Sequence, residues 1–199
     1  MKLDIPFYKS EKDIECGPTV LKMVLEFLGK KVAFKKIAKL ERQLETGTVW
    51  SIGIARAAKL LGLNSKLISQ SNFTFDEKLD YYEKHKGERG IIVLHEMLEE
   101  AKTLGIDIEE KNLSLEELLS FLSQDSIPIV LVDWNVLKGK PGYIGHFLVL
   151  AGYDSNNVYV HNPGIDRAAA FMPIQRDTFV KMWESKGTDK DAIVIYRNQ

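Results

Sequence analysis

The sequence predicts an α+β protein, with a helical N-terminal half packed on a mostly antiparallel sheet. Two observations carry that prediction. Up to about residue 125, apolar side chains recur at three- and four-residue spacing, with only short strand-like stretches between. From Ser126 onward, β-branched runs separated by Gly-, Asn- and Asp-containing turns replace them. The chain reads as a single domain, 1–199, with a helical lobe over about 12–125 and a sheet lobe over about 126–199.

Residues 3–8 alternate loosely and read as a short strand or extended lead-in. A helix then begins at Cys16. Leu21, Val24, Leu25 and Leu28 line one face, Pro18 suits the first turn, and Gly29 suits the position just past the end. A second helical pattern carries Phe34, Ile37, Ala38, Leu40 and Leu44. Its lysines (Lys35, Lys36, Lys39) and the acidic residues after them read as a solvated face. A third pattern carries Ile52, Ile54, Ala55, Ala58, Leu60 and Leu61, capped by Thr48 or Ser51 and stopped at Gly62.

Residues 65–69 read as a strand, 78–86 as a polar helix, 91–104 as a second helix ending at Gly105, and 106–110 as a strand. Ser114 and Glu117 have the spacing of a capping box and open a helix at Leu115. Strands follow at 127–132, 147–153 and 158–160, the last two forming a hairpin across the turn at 154–157. Residues 133–144 read as a loop rich in Lys, Gly and Pro, 174–183 as a helix, and 192–196 as a closing strand.

Composition narrows the function classes. Lys plus Arg (27) nearly balance Asp plus Glu (28), which leaves no electrostatic footprint for nucleic acid. No apolar run approaches the roughly 18 residues of a membrane span, and the N-terminus lacks the apolar core of a signal peptide. The expected location is cytoplasmic. The single cysteine forms no internal disulfide, which fits a reducing compartment.

That cysteine, Cys16, sits where unpaired backbone N–H groups and the positive end of a helix dipole favour thiolate over thiol. The structural alternative is a small buried side chain beneath a helix end. Of the four histidines, His85 lies between Lys84 and Lys86 and reads as surface. His95-Glu96 lacks the second histidine, four residues on, that a zinc-binding helix requires. His161 alternates to the opposite face from Asn162. His146 opens the most apolar strand in the chain. A cysteine nucleophile needs a base within hydrogen-bond reach, and the base needs a third group to hold its ring. Asn162 ends the strand that pairs with the His146 strand, so a hairpin sets the two side by side. An amide suffices there, because a thiolate–imidazolium pair is already charged and needs orientation.

Three motifs carry a family resemblance. Glu15-Cys16-Gly17-Pro18, with an apolar helix behind it, resembles the Asp-Cys-Gly-Pro start of the C39-like cysteine peptidases, papain-like folds related to bacteriocin-processing domains. Gly145-His146-Phe147-Leu148-Val149-Leu150, followed by Gly152-Tyr153-Asp154, resembles their histidine strand. The stretch Val158-Tyr159-Val160-His161-Asn162-Pro163-Gly164 resembles the next strand, which ends in Asp-Pro in that family.

The resemblance implies a papain-like cysteine-protease architecture with Cys16 as nucleophile, His146 as general base and Asn162 as orienting residue. The implied activity is that of a thiol protease on a peptide or protein substrate, without metal or organic cofactor. Two positions depart from the family. Asn162 stands where the bacteriocin-processing relatives usually have Asp. Ser10 stands six residues before the cysteine, where the family has a Gln that donates to the oxyanion. Ser10, Lys9 or Lys12 are the candidate replacements, alongside the backbone N–H of Cys16. Glu15 places a charge next to Cys16 that opposes thiolate formation.

Two rival functions use the same residues: a catalytically weak or inactive C39-like domain that binds a peptide or partner protein, and an acyltransferase on the same triad. The glycines of the 133–144 loop and Gly145 are not followed by a helix, so a phosphate cradle is disfavoured. A mobile lip over the site fits better, with Trp134 or Tyr143 touching an extended substrate. Trp50 reads as core.

Overall fold

The computed structural model describes residues 1–71, 79–164 and 167–198. Its first half holds α1 (Cys16–Phe27), α2 (Phe34–Leu40), α3 (Ser51–Leu60), β1 (Asn64–Ser69), α4 (Leu79–Leu104), β2 (Asp107–Glu110) and α5 (Leu115–Ser120). The second half holds β3 (Ser126–Asp133), α6 (Trp134–Lys138), β4 (Gly145–Tyr153), β5 (Asn157–Asn162), β6 (Ala169–Gln175), α7 (Arg176–Trp183) and β7 (Ala192–Tyr196). The strands form one sheet in the order β2-β1-β7-β3-β4-β5-β6. Only the β1–β2 pair is parallel among the described strands, so the sheet is mostly antiparallel, as expected.

Helix α1 follows a single 3-10 turn, Asp13–Glu15, and ends as its sequence predicts. Gly29 takes a φ of +88°. Its N–H donates to the Glu26 carbonyl (3.0 Å) and the Lys30 N–H to the Leu25 carbonyl (2.7 Å), the paired closure that a left-handed glycine permits. The apolar face of α1 packs on β4, with Val20, Leu21, Met23, Val24 and Leu25 buried. α3 packs on β1 and β7, and α7 on β3, where Phe179 and Trp183 are buried.

Several elements differ from the sequence expectation. The polar helix expected at 78–86 and the helix expected at 91–104 are one helix, α4, from residue 79, with position 78 outside the described residues. Gly87 and Gly90 cost that helix about 1 kcal/mol each relative to alanine, too little to break a segment held by tertiary contacts. One such contact is the Trp50 indole N–H, which donates to the Gly90 carbonyl (3.0 Å). Neither Thr48 nor Ser51 caps α3. Its cap residue is Trp50, whose side chain makes no capping bond to the helix, and the Ser51 hydroxyl instead donates to the buried Asp191 carboxylate (2.5 Å).

β6 was not legible because Ala-Ala-Phe-Met-Pro-Ile-Gln has no period-two alternation, and its Pro173 is tolerated on an edge strand. The expected start of α7 at residue 174 moves to Arg176, since Ile174 and Gln175 finish β6. At the N-terminus only an isolated bridge forms, Lys2 with Gly152, and the Leu3 N–H donates to the Ala151 carbonyl (2.8 Å). The capping box of α5 is present, with Glu117 N–H donating to Ser114 Oγ (3.2 Å) and Ser114 N–H to Glu117 Oε2 (2.8 Å).

Among the described residues, no helix is long and apolar enough to cross a membrane.

Candidate active site

Cys16 is the first residue of α1, His146 the second of β4, and Asn162 the last of β5. The packing of α1 on β4 brings the helix start to the histidine strand. The β4–β5 register, Val149 opposite His161, brings Asn162 and Gly164 to the same strand end as His146. The three side chains meet. His146 Nε2 lies 2.7 Å from Asn162 Oδ1.

The asparagine amide has one consistent orientation. Its Oδ1 accepts from the Gly164 N–H (2.8 Å), and its Nδ2 donates to the Arg167 carbonyl (2.9 Å). Oδ1 is therefore the acceptor for a proton on His146 Nε2, which leaves Nδ1 as the ring atom for the sulfur. Gly164 has to be small here, because a Cβ would lie 2.9 Å from Asn162 Oδ1 and 3.2 Å from His146 Nε2.

Cys16 is half-buried. Burial of the sulfur opposes ionisation. A hydrogen bond to the His146 ring, the charge of that ring, and the backbone N–H groups of Phe147 and Gly17 outweigh it, so the thiol pKa lies below its ordinary value. The Glu15 carboxylate turns back to accept from the N–H groups of Glu11 (3.2 Å) and Lys12 (3.1 Å), closing the turn before the helix.

The oxyanion candidates are differently placed. Ser10 is buried, and its hydroxyl donates to Thr19 Oγ1 (3.1 Å), which in turn donates to the Glu15 carbonyl (2.7 Å). Its backbone N–H donates to the Pro163 carbonyl (2.9 Å), so Ser10 lies beside the Asn162 turn while its hydroxyl proton is committed. Lys9 and Lys12 are exposed.

The expected mobile lip is instead a tied structure. Asp133 Oδ1 accepts from Asn135 N–H (3.0 Å) and Ile144 N–H (3.1 Å), holding both ends of the 134–144 segment, and its first turns form α6, ended by Gly139 at a φ of +60°. Trp134 is buried rather than presented to a substrate, and its ring lies 5.0 Å from the His146 ring, centroid to centroid. Tyr143 is half-buried, and its hydroxyl donates to the Gly187 carbonyl (2.9 Å). Two exposed apolar side chains precede the pair, Ile14 before Cys16 and Ile144 before His146.

His161 faces away from Asn162, as the alternation predicts. It is buried, with Nε2 2.8 Å from the Ile5 carbonyl and Nδ1 accepting from the Phe171 N–H (3.0 Å). His95 is exposed, and the side chain of His85 lies outside the described residues. Among the described residues, no group of three or more His, Cys, Asp or Glu side chains could hold a metal ion.

Sequence reasoning missed Gly164 and Glu41. The Asn-Pro-Gly string signals the first as a close approach. Glu41 follows a lysine-rich helix and reads as solvated, yet it is fully buried, with neither carboxyl oxygen bonded.

Residues 5–195 match the family model described as guanylylate cyclase, and the chain belongs to that family. Among solved structures, the peptidase domain of Streptococcus ComA, a bi-functional ABC transporter involved in a quorum-sensing pathway, is 17% identical with a TM-score of 0.56, over 96% of this chain and 97% of that one. A double-glycine-motif protease from an AMS/PCAT transporter, solved with a leader peptide, is 15% identical with a TM-score of 0.55, over 99% and 94%. A Bacillus anthracis protein described as a C39-like peptidase is 14% identical with a TM-score of 0.58, over 100% and 99%. At these identities the likeness shows the fold, that of papain-like C39 peptidase domains.

Proposed function

From its papain-like fold and the contact between Cys16 and His146, we propose that the chain is a cysteine-dependent acyl-transfer enzyme, a hydrolase of peptide bonds. The observation that carries the reading is the chain of contacts from the Cys16 sulfur to the His146 ring to Asn162 Oδ1. Cys16 is the nucleophile, His146 the proton carrier and Asn162 the orienting residue.

In the first half-reaction the thiolate adds to the carbonyl carbon, and the carbonyl π electrons move onto oxygen. The tetrahedral species collapses with cleavage of the C–N bond, and the proton on His146 Nδ1 passes to the leaving amine. Water then gives a proton to His146 and adds to the thioester, and collapse releases the acid and restores the thiolate. Replacing water with an amine gives the transferase outcome. The backbone N–H of Cys16 is the oxyanion donor, and a second donor from Ser10 requires its hydroxyl to leave Thr19. A peptide ligand is supported by the leader peptide bound to one of the proteins of this fold.

The family description favours a second reading, nucleotide cyclisation. One experiment separates the two. The protein is incubated with a peptide library and, in parallel, with GTP, and products are read by mass spectrometry. The hydrolase reading expects peptide cleavage that disappears in Cys16→Ala and His146→Ala. Cyclic nucleotide formation that survives both substitutions overturns it.

A further inference from the structure

Asp133, the last residue of β3, is buried, and its carboxyl takes hydrogen bonds from three separate stretches of chain. Oδ1 accepts from the Asn135 N–H in α6 (3.0 Å) and from the Ile144 N–H just before β4 (3.1 Å). Oδ2 accepts from the Ser185 hydroxyl just after α7 (2.9 Å). A carboxylate taken out of water needs such donors. Two of these bonds govern the surroundings of His146.

Ile144 is gripped on both of its backbone groups. Its N–H goes to Asp133, and its carbonyl accepts from the Trp134 N–H (2.8 Å). It stands two residues before His146, and Asp133 faces Gly145 in the β3–β4 register, so the path of the backbone into β4 is fixed from Asp133. The Asn135 bond caps α6, which begins with Trp134. The buried Trp134 ring lies 5.0 Å from the His146 ring, centroid to centroid, tilted by 57°. The imidazole is thus held by Asn162 at Nε2 and flanked by the indole. A second tie, from the Tyr143 hydroxyl to the Gly187 carbonyl (2.9 Å), fastens the same segment to the stretch that carries Ser185. The bonds of Asp133 all go to these ties and none to the Cys16–His146–Asn162 chain, so it acts on that chain only through the segment it holds.

We propose that Asp133 is a positioning residue for His146: its buried carboxyl fixes the Trp134 ring and the entry to β4, and through them the angle at which the imidazole meets the Cys16 sulfur. This rests on Cys16 and His146 being the catalytic pair. A hydrogen bond weakens steeply as its angle departs from linear, and the thiolate is favoured here by its bond to the ring and by the charge of that ring. Removing the acceptors at 133 frees the 134–144 segment, lets the ring turn, and returns the thiol toward its ordinary behaviour. Asp133→Asn keeps one oxygen for both N–H groups, and the Ser185 hydroxyl can turn to accept from the new amide. The position requires acceptor geometry rather than charge.

The test is the pH dependence of Cys16 alkylation by iodoacetamide in the intact protein, with circular dichroism and thermal melting run alongside to establish folding. Asp133→Ala is expected to raise the thiol midpoint by about one unit, toward the ordinary value of about 8.5, a tenfold loss of thiolate preference. Asp133→Asn is expected to keep the parental midpoint. A merely structural role lowers the melting temperature and leaves the midpoint where it is, so an Asp133→Ala midpoint equal to the parent's overturns the proposal. So does an Asp133→Asn midpoint displaced as far as that of Asp133→Ala. Should Asp133→Ala not fold, Ser185→Ala, which removes only the donor at Oδ2, takes its place with a midpoint displaced in the same direction, and an unmoved midpoint there is equally fatal. Failure of the catalytic pair itself shows separately, as a parent thiol that titrates at its ordinary value and is left unchanged by His146→Ala.

Discussion

Replacing Gly164 with alanine adds one carbon atom where the His146–Asn162 contact leaves no room. The backbone itself tolerates the change, since Gly164 is not among the left-handed glycines. The new Cβ lies 2.9 Å from Asn162 Oδ1, 3.2 Å from His146 Nε2 and 3.4 Å from His146 Cε1. Carbon contacts are comfortable at about 3.5–4.0 Å, so the pair must yield by roughly half an ångström. Overpacking of this kind costs about 1–3 kcal/mol of stability.

The effect on chemistry is larger than a stability loss alone predicts. A misplacement of about 1 Å in a reacting constellation costs on the order of 10²-fold, so half of that is about tenfold. The assay is the rate of Cys16 alkylation by iodoacetamide across pH, with thermal denaturation run alongside. Gly164→Ala is expected to fold, to melt lower and to alkylate about tenfold more slowly at neutral pH. In the double variant with Asn162→Ala, the alanine at 164 should add little, because both act through the same contact. A Gly164→Ala protein with the parental alkylation profile refutes the reasoning.

Two further predictions concern neighbouring groups. Asn162→Asp turns an amide donor at the Arg167 carbonyl (2.9 Å) into a carboxylate oxygen facing a carbonyl oxygen. It should cost about 1–3 kcal/mol in urea denaturation at pH 7, and an unchanged midpoint contradicts the amide orientation. His161 is held below its ordinary pKa of 6.5, chiefly by burial, so the unfolded chain binds a proton that the folded chain refuses. Its contribution is complete above about pH 6.5 and declines as the pH falls further. His161→Phe should flatten the stability slope between about pH 7 and 5, and a slope equal to the parent's denies His161 that role.

Much of the scaffold was legible because it depends on local chemistry. The glycine closure of α1 and the Ser114–Glu117 capping box are written in adjacent residues, and their geometry is as predicted. That Cys16, His146 and Asn162 meet follows from a helix start and a hairpin register, both readable from spacing. α6 was hidden because its five residues are too few for a period. Its signals were Asp133 as cap and Gly139 as left-handed stop. α4 reads as two helices because glycine propensity is local, while the contacts that span it are not.

What the sequence by itself determined is the order of most elements, the period of their buried faces, and three reactive residue types at the ends of elements that must pack. Those follow from backbone propensity and from the hydrophobic pattern, which act over a few residues. The tertiary structure alone decided where polar atoms are spent. Ser10 gives its proton to Thr19, Glu15 turns to the backbone before the helix, Trp134 packs beside His146, and Glu41 is buried. A carboxyl or hydroxyl reads the same in sequence whether it meets water, a partner or nothing. Only packing removes the water, and desolvation then sets the protonation state.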